Sequence, residues 1–317
     1  MNSRNWIGGQ AVMEGVMMRD RGEMVIACRK DRGDISVHRE EVSKLASRFP
    51  FLRWPLLRGI VAFIEALTVG IKALNISTAE VLEEEGEEVH PLYTVFTVAL
   101  GLALGVGLFF LLPTLLANYL PAPSALVSNL LEGLLRIGIF ISYIYLISRW
   151  GEIQRFFAYH GAEHKAIYCY EAGKDLKVEN ASLFSTKHPR CGTSFLLIVM
   201  IVSILLFSLF GWPGLWERFL IRLALLPAVA AVAYELIRLT SQSSWKPLRA
   251  LALPGVWLQH LTTREPDGSQ LEVALEALRN LVGSGENIGG NTACADEALD
   301  STEADEETLQ EPQSAAP

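Results

Sequence analysis

Residues 91–131 read PLYTVFTVALGLALGVGLFFLLPTLLANYLPAPSALVSNLL and contain no Lys, Arg, Asp or Glu. A helix crosses the hydrocarbon core of a bilayer with about 20 consecutive apolar residues. The stretch is therefore long enough for one complete span and the start of another. Of the 317 residues, 50% are hydrophobic, and the mean hydropathy is +0.28. A chain this apolar is predicted to be a mainly α membrane protein rather than a soluble one.

Four transmembrane helices are predicted, at about 92–112, 126–148, 194–210 and 219–239. Pro121 and Pro123 separate the first two, and Gly211 and Pro213 separate the last two, because these residues break helices. Both connections are short. We therefore expect the four helices to form two helical hairpins within residues 91–247.

The basic residues indicate how these helices are oriented. Residues 1–91 contain 12 Lys and Arg, residues 149–193 contain 7, and residues from 238 onward contain 5, whereas the 118–125 connection contains none. The positive-inside rule then places the three basic segments, and both termini, in the cytoplasm. The first residues, MNSRNWIGGQ, lack the apolar stretch of a signal peptide. The lipid bilayer is the expected partner, and no binding to nucleic acid is expected.

The segment before the first span is expected to have two parts. Residues 1–50 are predicted to form a cytoplasmic β element, with a hairpin at about 23–40 around the turn sequence DRGD. Residues 51–90 are predicted to be an interfacial helix followed by an acidic linker. Arg53, Arg58, Glu65 and Lys72 interrupt the apolar pattern, which favours an interfacial or partly re-entrant helix over a span.

The segment after the last span is also expected to have two parts. Residues 248–283 are predicted to contain an interfacial apolar stretch and then an amphipathic helix at 269–281. Residues 284–317 contain nine acidic residues and no basic one, with few large apolar side chains, and are predicted to be a disordered tail.

The sequence RFFAYHGAEHK, residues 155–165, follows the second predicted span in the cytoplasmic loop 149–193. It places His160, Glu163 and His164 at H-x-x-E-H spacing. Residues four apart share one face of a helix, so the two imidazoles are able to bind one metal ion beside the carboxylate. This order is the inverzincin pattern. Gly161 lowers helix propensity by roughly 1 kcal/mol relative to Ala, which leaves open whether one helix continues through the motif.

The same loop contains STKHPRCGTSF, in which His188 and Cys191 stand just before the third predicted span. Imidazole and thiolate are both good zinc ligands, so the loop contains the residues for a three- or four-ligand site. Alone, this pair is more typical of membrane-interface anchors than of a metal site. All the cysteine-containing segments are assigned to the cytoplasm, so no structural disulfide is expected.

Several other charged residues have competing interpretations. Glu132 and Arg136 are expected to form an i, i+4 ion pair near the outer end of the second span. Glu235 is interpreted either as a further metal ligand or as a partner of Arg238. His260 is interpreted as an interfacial histidine that is within reach of the loop.

Four blocks resemble the bacterial YqhQ-like family of uncharacterised membrane proteins: GGQAVMEGVMMR, YHGAEHK, STKHPRCGTSF and PGVWLQHLTTREPDGSQLEVALEAL. The resemblance covers about residues 5–283 and implies a multi-pass protein of the bacterial cytoplasmic membrane. The family is described as a predicted metal-dependent enzyme without an assigned reaction. Besides the loop histidines, cysteine and Glu163, the positions that match the blocks are Gln10, Glu14, Arg190, Gln259, Thr262, Arg264 and Glu265. In the first block, Glu14 follows two glycines, a pattern typical of a turn that enters a strand.

The leading hypothesis is a metal-dependent membrane enzyme, a zinc hydrolase at the cytoplasmic face that acts on a membrane peptide or a lipid. His160 and His164 are the expected ligands, His188 or Cys191 completes the shell, and Glu163 is the expected base. The alternative is a non-catalytic membrane scaffold or assembly factor, in which four protein ligands hold a structural metal. A transporter is less favoured, because one ion pair in the outer half of the spans does not outline an ion path.

Overall fold

The computed structural model describes residues 7–20, 22–30, 32–42, 50–85, 91–242, 250 and 253–283. The predicted disordered tail, 284–317, lies outside these residues, as does most of the acidic linker. The described chain is mainly helical, with one small antiparallel sheet at its N-terminal end. The mainly α prediction and the N-terminal β element are both confirmed.

The sheet is a four-stranded meander in the order β1–β2–β3–β4. Its strands are β1 (Gly8–Val12), β2 (Gly15–Arg19), β3 (Glu23–Arg29) and β4 (Ile35–Glu41). The predicted 23–40 hairpin is present as the β3–β4 pair, in which Glu23 faces Glu41 and Arg29 faces Ile35. The first block, expected to be a turn entering one strand, is a complete hairpin, because its apolar residues lie on both sides of the two-residue turn Met13–Glu14.

Besides a 3₁₀ turn at Pro50–Arg53, ten α-helices are described in full after the sheet. They are α1 (Leu57–Glu85), α2 (Pro91–Val106), α3 (Leu112–Asn118), α4 (Ala125–Ile147), α5 (Gly151–Glu171), α6 (Val178–Ala181), α7 (Gly192–Ser208), α8 (Leu215–Gln242), α9 (Leu253–Thr262) and α10 (Gly268–Val282). A π-helical turn, Gly107–Leu111, joins α2 to α3 without a break in the chain direction.

Four helices in the described chain are long and apolar enough to cross a membrane: Leu57–Val81, Val95–Asn118, Ala125–Ile147 and Leu215–Thr240. The last three correspond to the first, second and fourth predicted spans. The third predicted span, 194–210, corresponds to α7, a shorter apolar helix of 17 residues.

Helix α1 differs from the interfacial segment expected at 51–80, because its length and composition are those of a span. Two of the charges that argued against a span are paired. Lys72 forms an ion pair with Glu40 on β4. Arg58 donates to both carboxylate oxygens of Glu235 on α8, at 2.6 and 2.5 Å. The charge of Arg238, the partner in one of the two interpretations, also acts on this carboxylate. The second half of α1 leaves α8 and packs on the sheet through Val69 and Ala73.

Helix α7 packs between α4 and α8. Gly133 of α4 touches Ile204 near the end of α7, whereas Phe140 packs with Leu197 near its start, so α4 and α7 are antiparallel. The predicted pair between Glu132 and Arg136 is confirmed, with 2.8 Å between Glu132 Oε1 and Arg136 Nη2.

The predicted amphipathic helix is present as α10. Asp267 accepts a hydrogen bond from the backbone N–H of Gln270 at 2.8 Å, and the Gln270 side chain accepts one from the N–H of Asp267 at 3.1 Å, which caps the helix start. Leu271, Leu275 and Leu278 are buried against the sheet and α5. The apolar face of α10 is therefore buried against protein and does not lie on a membrane surface. One face of the sheet is apolar as well, and the helix and the sheet bury each other's apolar side chains. The other face packs on α1.

Candidate metal centre

The H-x-x-E-H motif lies on α5, which is one continuous helix from Gly151 to Glu171. The helix is not broken at Gly161, and the structure shows what the glycine is needed for. A Cβ atom at residue 161 would lie 2.1 Å from the carbonyl oxygen of Arg264. The backbone N–H of Arg264 donates to the carbonyl of Phe157 at 2.9 Å. Gly161 therefore allows the chain after α9 to cross α5 in direct backbone contact.

This crossing orients His160. Its Nδ1 atom lies 2.8 Å from the carbonyl oxygen of Thr262, and its Nε2 atom lies 3.1 Å from the sulfur of Cys191. A carbonyl only accepts hydrogen bonds, so we assign the proton to Nδ1. The lone pair of Nε2 then points towards Cys191. A backbone carbonyl behind a histidine is the arrangement that commonly fixes metal-binding imidazoles.

His164 is held in the same way one helical turn later. Its Nδ1 atom lies 2.5 Å from the carbonyl oxygen of Thr186. Its Nε2 atom is buried and has no hydrogen-bond partner among the residues that the structure describes. Burial lowers the pKa of His164, so the ring is neutral near pH 7. An acceptor atom without a partner is costly to bury, and a metal ion in contact with Nε2 would remove that cost.

Cys191 is the third member of the cluster and the N-cap of α7. Its sulfur accepts the backbone N–H of Thr193 at 3.4 Å and lies 3.1 Å from the Thr193 hydroxyl. A cysteine sulfur is a common ligand of zinc. The ligand atoms of His160, His164 and Cys191 all lie within 4.8 Å of one another.

His188, the other predicted ligand, is close to this cluster but not part of it. Its Nδ1 atom accepts the N–H of Arg190 at 3.3 Å, and its Nε2 atom lies 3.6 Å from a carboxylate oxygen of Glu171. Its ring centre is 5.6 Å from that of His164. Burial lowers the pKa of His188 to about 4, against the opposing effect of the Glu163 charge. The described residues thus bring together three predicted ligands and place the fourth beside them.

Glu163 is buried between α5 and the first strand. A Cβ atom at residue 9 would lie 2.7 Å from Glu163 Cγ and 2.9 Å from Oε1, so Gly9 provides the space for this side chain. Burial raises the pKa of Glu163, while His160, His188 and the backbone N–H of Gly9 act in the opposite direction. The carboxyl group is therefore within electrostatic reach of the cluster without being one of its three ligands.

Gln259 on α9 has a role that sequence reasoning did not predict. It is fully buried, and its amide forms two hydrogen bonds with the backbone of His188: Oε1 accepts from His188 N at 2.7 Å, and Nε2 donates to His188 O at 2.8 Å. The same Nε2 lies 3.3 Å from the hydroxyl of Ser194. Gln259 therefore fixes the loop that leads to Cys191. Membership of a family block was the only sequence signal for it.

The N-terminal block contacts the helices on both sides of the sheet. Arg155 donates to both carboxylate oxygens of Glu14 at 2.5 Å, and the hydroxyl of Tyr159 lies 3.3 Å from the same group. The side chain of Gln10 packs against α1, where a Cβ atom at Gly70 would lie 2.6 Å from it. Glu14 and Gln10 therefore hold the sheet against α5 and α1, and neither is a member of the cluster.

The remaining predicted residues lie elsewhere. Arg190 forms an ion pair with Glu171, beside His188. Glu235 bonds to Arg58 and is not among the clustered ligands. His260 is exposed on α9, also outside the cluster.

Comparisons with known proteins agree with the block resemblance. The profile of a family described as "Protein of unknown function (DUF1385)" matches residues 54–284. The chain belongs to the DUF1385 family. It is 36% identical over 291 residues to "Uncharacterized protein YqhQ" of Bacillus subtilis (strain 168), a match that covers 87% of this chain and 92% of the relative. No solved structure matches the chain. Neither description names an activity, so the metal-dependent enzyme implied by the resemblance stays a prediction.

Proposed function

We propose that this protein is a metal-dependent membrane enzyme, a zinc hydrolase whose ligands are His160, His164 and Cys191. One observation carries the proposal. In both His160 and His164, Nδ1 is hydrogen-bonded to a backbone carbonyl. The Nε2 atoms then share a small volume with the sulfur of Cys191. The buried Nε2 atom of His164, which has no hydrogen-bond partner among the described residues, makes a metal the best occupant of that volume.

The number of ligands favours a catalytic role. Catalytic zinc sites commonly use three protein ligands and leave one position open, whereas structural sites use four. Two histidines and one cysteine fit the first type. Zinc, when bound, lowers the pKa of a water molecule to about 7 and polarises carbonyl or phosphoryl groups.

Glu163 is proposed as the base that accepts a proton from the attacking water. A carboxylate with a raised pKa is a stronger base than an ordinary one, which suits it to this role. Burial provides that raised pKa. The exposed side chain of Trp150, just before α5, and the place of Cys191 at the start of an apolar helix suggest a site at the membrane boundary. A membrane peptide or a lipid is the proposed substrate.

We place the two predicted hairpins in the membrane, α2–α3 with α4 and α7 with α8. Helix α7 has 17 residues, which at 1.5 Å per residue is about 25 Å, the lower end of what a bilayer core requires. Helix α1 is proposed to remain at the surface over its second half, where it packs on the sheet and Lys72 pairs with Glu40. The basic loops put the metal centre and both termini on the cytoplasmic side of a bacterial membrane.

The test is elemental analysis of the full chain, purified in detergent without chelator. We expect about one zinc per wild-type protein, near complete loss in His160→Ala and Cys191→Ser, and retention in Glu163→Gln. His260→Ala is the matched control, since it removes an exposed histidine outside the cluster, and it should keep its zinc. A metal-free wild type, or zinc retained in Cys191→Ser, would refute the proposal.

The coordination number separates this function from a scaffold with a structural metal. His188 is near enough to His164 for a side-chain rearrangement to add a fourth ligand. Zinc-edge X-ray absorption of wild type and His188→Ala decides between them. Identical spectra with one oxygen neighbour support the enzyme, whereas loss of a nitrogen neighbour in His188→Ala supports the scaffold.

A further inference from the structure

A second polar cluster lies at the other end of α7, inside the helix bundle. Arg136, Arg218 and Arg222 are 4%, 2% and 4% exposed, and the carboxylate nearest to them, Glu132, is 1% exposed. Sequence analysis identified only the pair between Glu132 and Arg136. The two arginines from α8 join that pair across about 90 residues of sequence, so three guanidinium groups and one carboxylate are buried together.

Glu132 is shared between two of the arginines. Arg136 donates to its Oε1 atom at 2.8 Å, and Arg222 donates to the same atom. Arg222 also donates to the hydroxyl of Thr114 at 2.9 Å and to the amide oxygen of Asn129 at 3.1 Å. These partners satisfy Arg136 and Arg222, but they supply only one negative charge.

Arg218 is the arginine that this network leaves incomplete. Its guanidinium group lies on the ring of Trp212, 3.8 Å from the centroid, and Nη2 donates to Asn118 at 3.1 Å. Its Nε and Nη1 atoms are buried and have no hydrogen-bond partner among the described residues. The face of the guanidinium plane is thus covered by an aromatic ring, while donors at its edge are free. Arg218 and Arg222 both line a small cavity, of about 10 Å³, beside Gly211.

We propose that this cavity binds the phosphate group of an anionic membrane lipid. Arginine stays protonated at all accessible pH values, so the four side chains carry a net charge of +2. A buried charge without a counter-ion is strongly unfavourable, and an anion removes the imbalance. Each free N–H group of Arg218 can donate a charge-assisted hydrogen bond to a phosphate oxygen. A cavity of this size has room for roughly one water-sized group, so one phosphate oxygen enters it and the rest of the headgroup stays at the mouth.

The surroundings of the cavity favour a lipid over a free anion. Tyr119 is 85% exposed and Trp216 75% exposed, and both flank this end of the bundle, as aromatic residues do at the headgroup level of a membrane. Phe210, also exposed, is one of the residues that line the cavity. The inference rests on the proposed membrane insertion and not on the metal centre, which is at the start of α7, about 25 Å away along the helix.

The experiment uses the full chain, delipidated in detergent and titrated with phosphatidylglycerol while native mass spectrometry counts bound lipid. Diacylglycerol with the same acyl chains, which lacks the phosphate, and inorganic phosphate are the two comparison ligands. We expect one phosphatidylglycerol per wild-type chain and affinity at least about tenfold weaker for diacylglycerol and for Arg218→Gln. Arg149→Gln, which removes an exposed arginine at the other end of α4, should bind as wild type does.

Thermal unfolding of the same samples checks that a weaker affinity does not arise from misfolding. Without lipid, Arg218→Gln should unfold at the wild-type temperature or higher, because an uncompensated charge has been removed. Phosphatidylglycerol should raise the midpoint of wild type and leave that of Arg218→Gln unchanged. If Arg218→Gln does not fold, Arg218→Lys, which keeps the charge and loses the planar fork, should still bind more weakly than wild type. Unchanged lipid affinity in the folded variant, or equal protection of wild type by inorganic phosphate, overturns the proposal.

Discussion

The imidazole of His164 donates a hydrogen bond from Nδ1 to the carbonyl oxygen of Thr186 at 2.5 Å, and its Nε2 atom is buried without a hydrogen-bond partner among the described residues. The first contact fixes the ring, and the second leaves a lone pair directed at Cys191 and His160. Without an ion, this geometry buries an unsatisfied acceptor, which costs about 1–3 kcal/mol. The loop that carries Thr186 and Cys191 should therefore depend on the ion for part of its stability.

Removal of the metal is expected to destabilise the protein. A ligand present at about 100 times its dissociation constant stabilises the folded state by about 2.7 kcal/mol. Chelation should therefore lower the midpoint of thermal unfolding of wild type, and added zinc should restore it. Cys191→Ser should unfold at the lower temperature with or without zinc. Cys169→Ser is the control, since the hydroxyl can keep the hydrogen bond that this thiol donates to Asp175 O. A zinc response in Cys191→Ser would contradict the assignment.

Gly161→Ala should be among the most damaging small substitutions in the chain. The new methyl group would lie 2.1 Å from the carbonyl oxygen of Arg264, which is backbone and cannot rotate away. Overpacking of this kind costs about 1–3 kcal/mol. The displaced segment also carries the carbonyl that holds His160, so zinc content should fall as well. In Gly138→Ala the new methyl group meets no atom within 4 Å, and this variant should be neutral or slightly more stable. If the two variants have equal midpoints of thermal unfolding and equal zinc contents, the close backbone contact between Gly161 and Arg264 is contradicted.

Gln259→Met should destabilise the loop before α7. Methionine has a similar volume but leaves the N–H and the carbonyl of His188 buried without partners. With about 1–3 kcal/mol for each group, the free energy of unfolding should fall by about 3 kcal/mol. Gln154→Met, at an exposed position, should change it by less than about 0.5 kcal/mol. Chemical denaturation in detergent measures the free energy of unfolding of both variants. A wild-type value for Gln259→Met would show that the loop does not depend on the two hydrogen bonds from Gln259.

Local patterns in the sequence were sufficient for the helices and the β3–β4 hairpin, because hydropathy and turn residues act over a few neighbours. The grouping of His160, His164 and Cys191 could also be predicted, since two lie four apart on one helix and the third is a cysteine in the same loop. The carbonyls of Thr186 and Thr262 were not identifiable, because every residue has a carbonyl and only the tertiary fold selects one. Helix propensity at Gly161 left the continuity of the helix open, because the backbone contact that outweighs about 1 kcal/mol involves residues far away in sequence.

The buried arginine cluster shows a related limit. Glu132 and Arg136 are neighbours on one helix, so their spacing predicts the pair. Arg218 and Arg222 have the same spacing on α8, but their contact with Glu132 depends on how two helices are aligned. The sequence contains no signal for that alignment. The number of buried charges, and the imbalance between them, therefore follows only from the tertiary structure.

The two adjacent glycines of the first block provide the last prediction. A Cβ atom at Gly9 would lie within 2.9 Å of the Glu163 side chain, whereas at Gly8 it would meet no atom within 4 Å. Gly9→Ala should displace the Glu163 carboxyl group and lower stability by about 1–3 kcal/mol, while zinc stays bound because the three ligands are untouched. Gly8→Ala should resemble wild type in both respects. Thermal unfolding with parallel zinc analysis measures the pair. Loss of zinc in Gly9→Ala would show instead that Glu163 supports the metal directly, and the role of base would pass from Glu163 to another group.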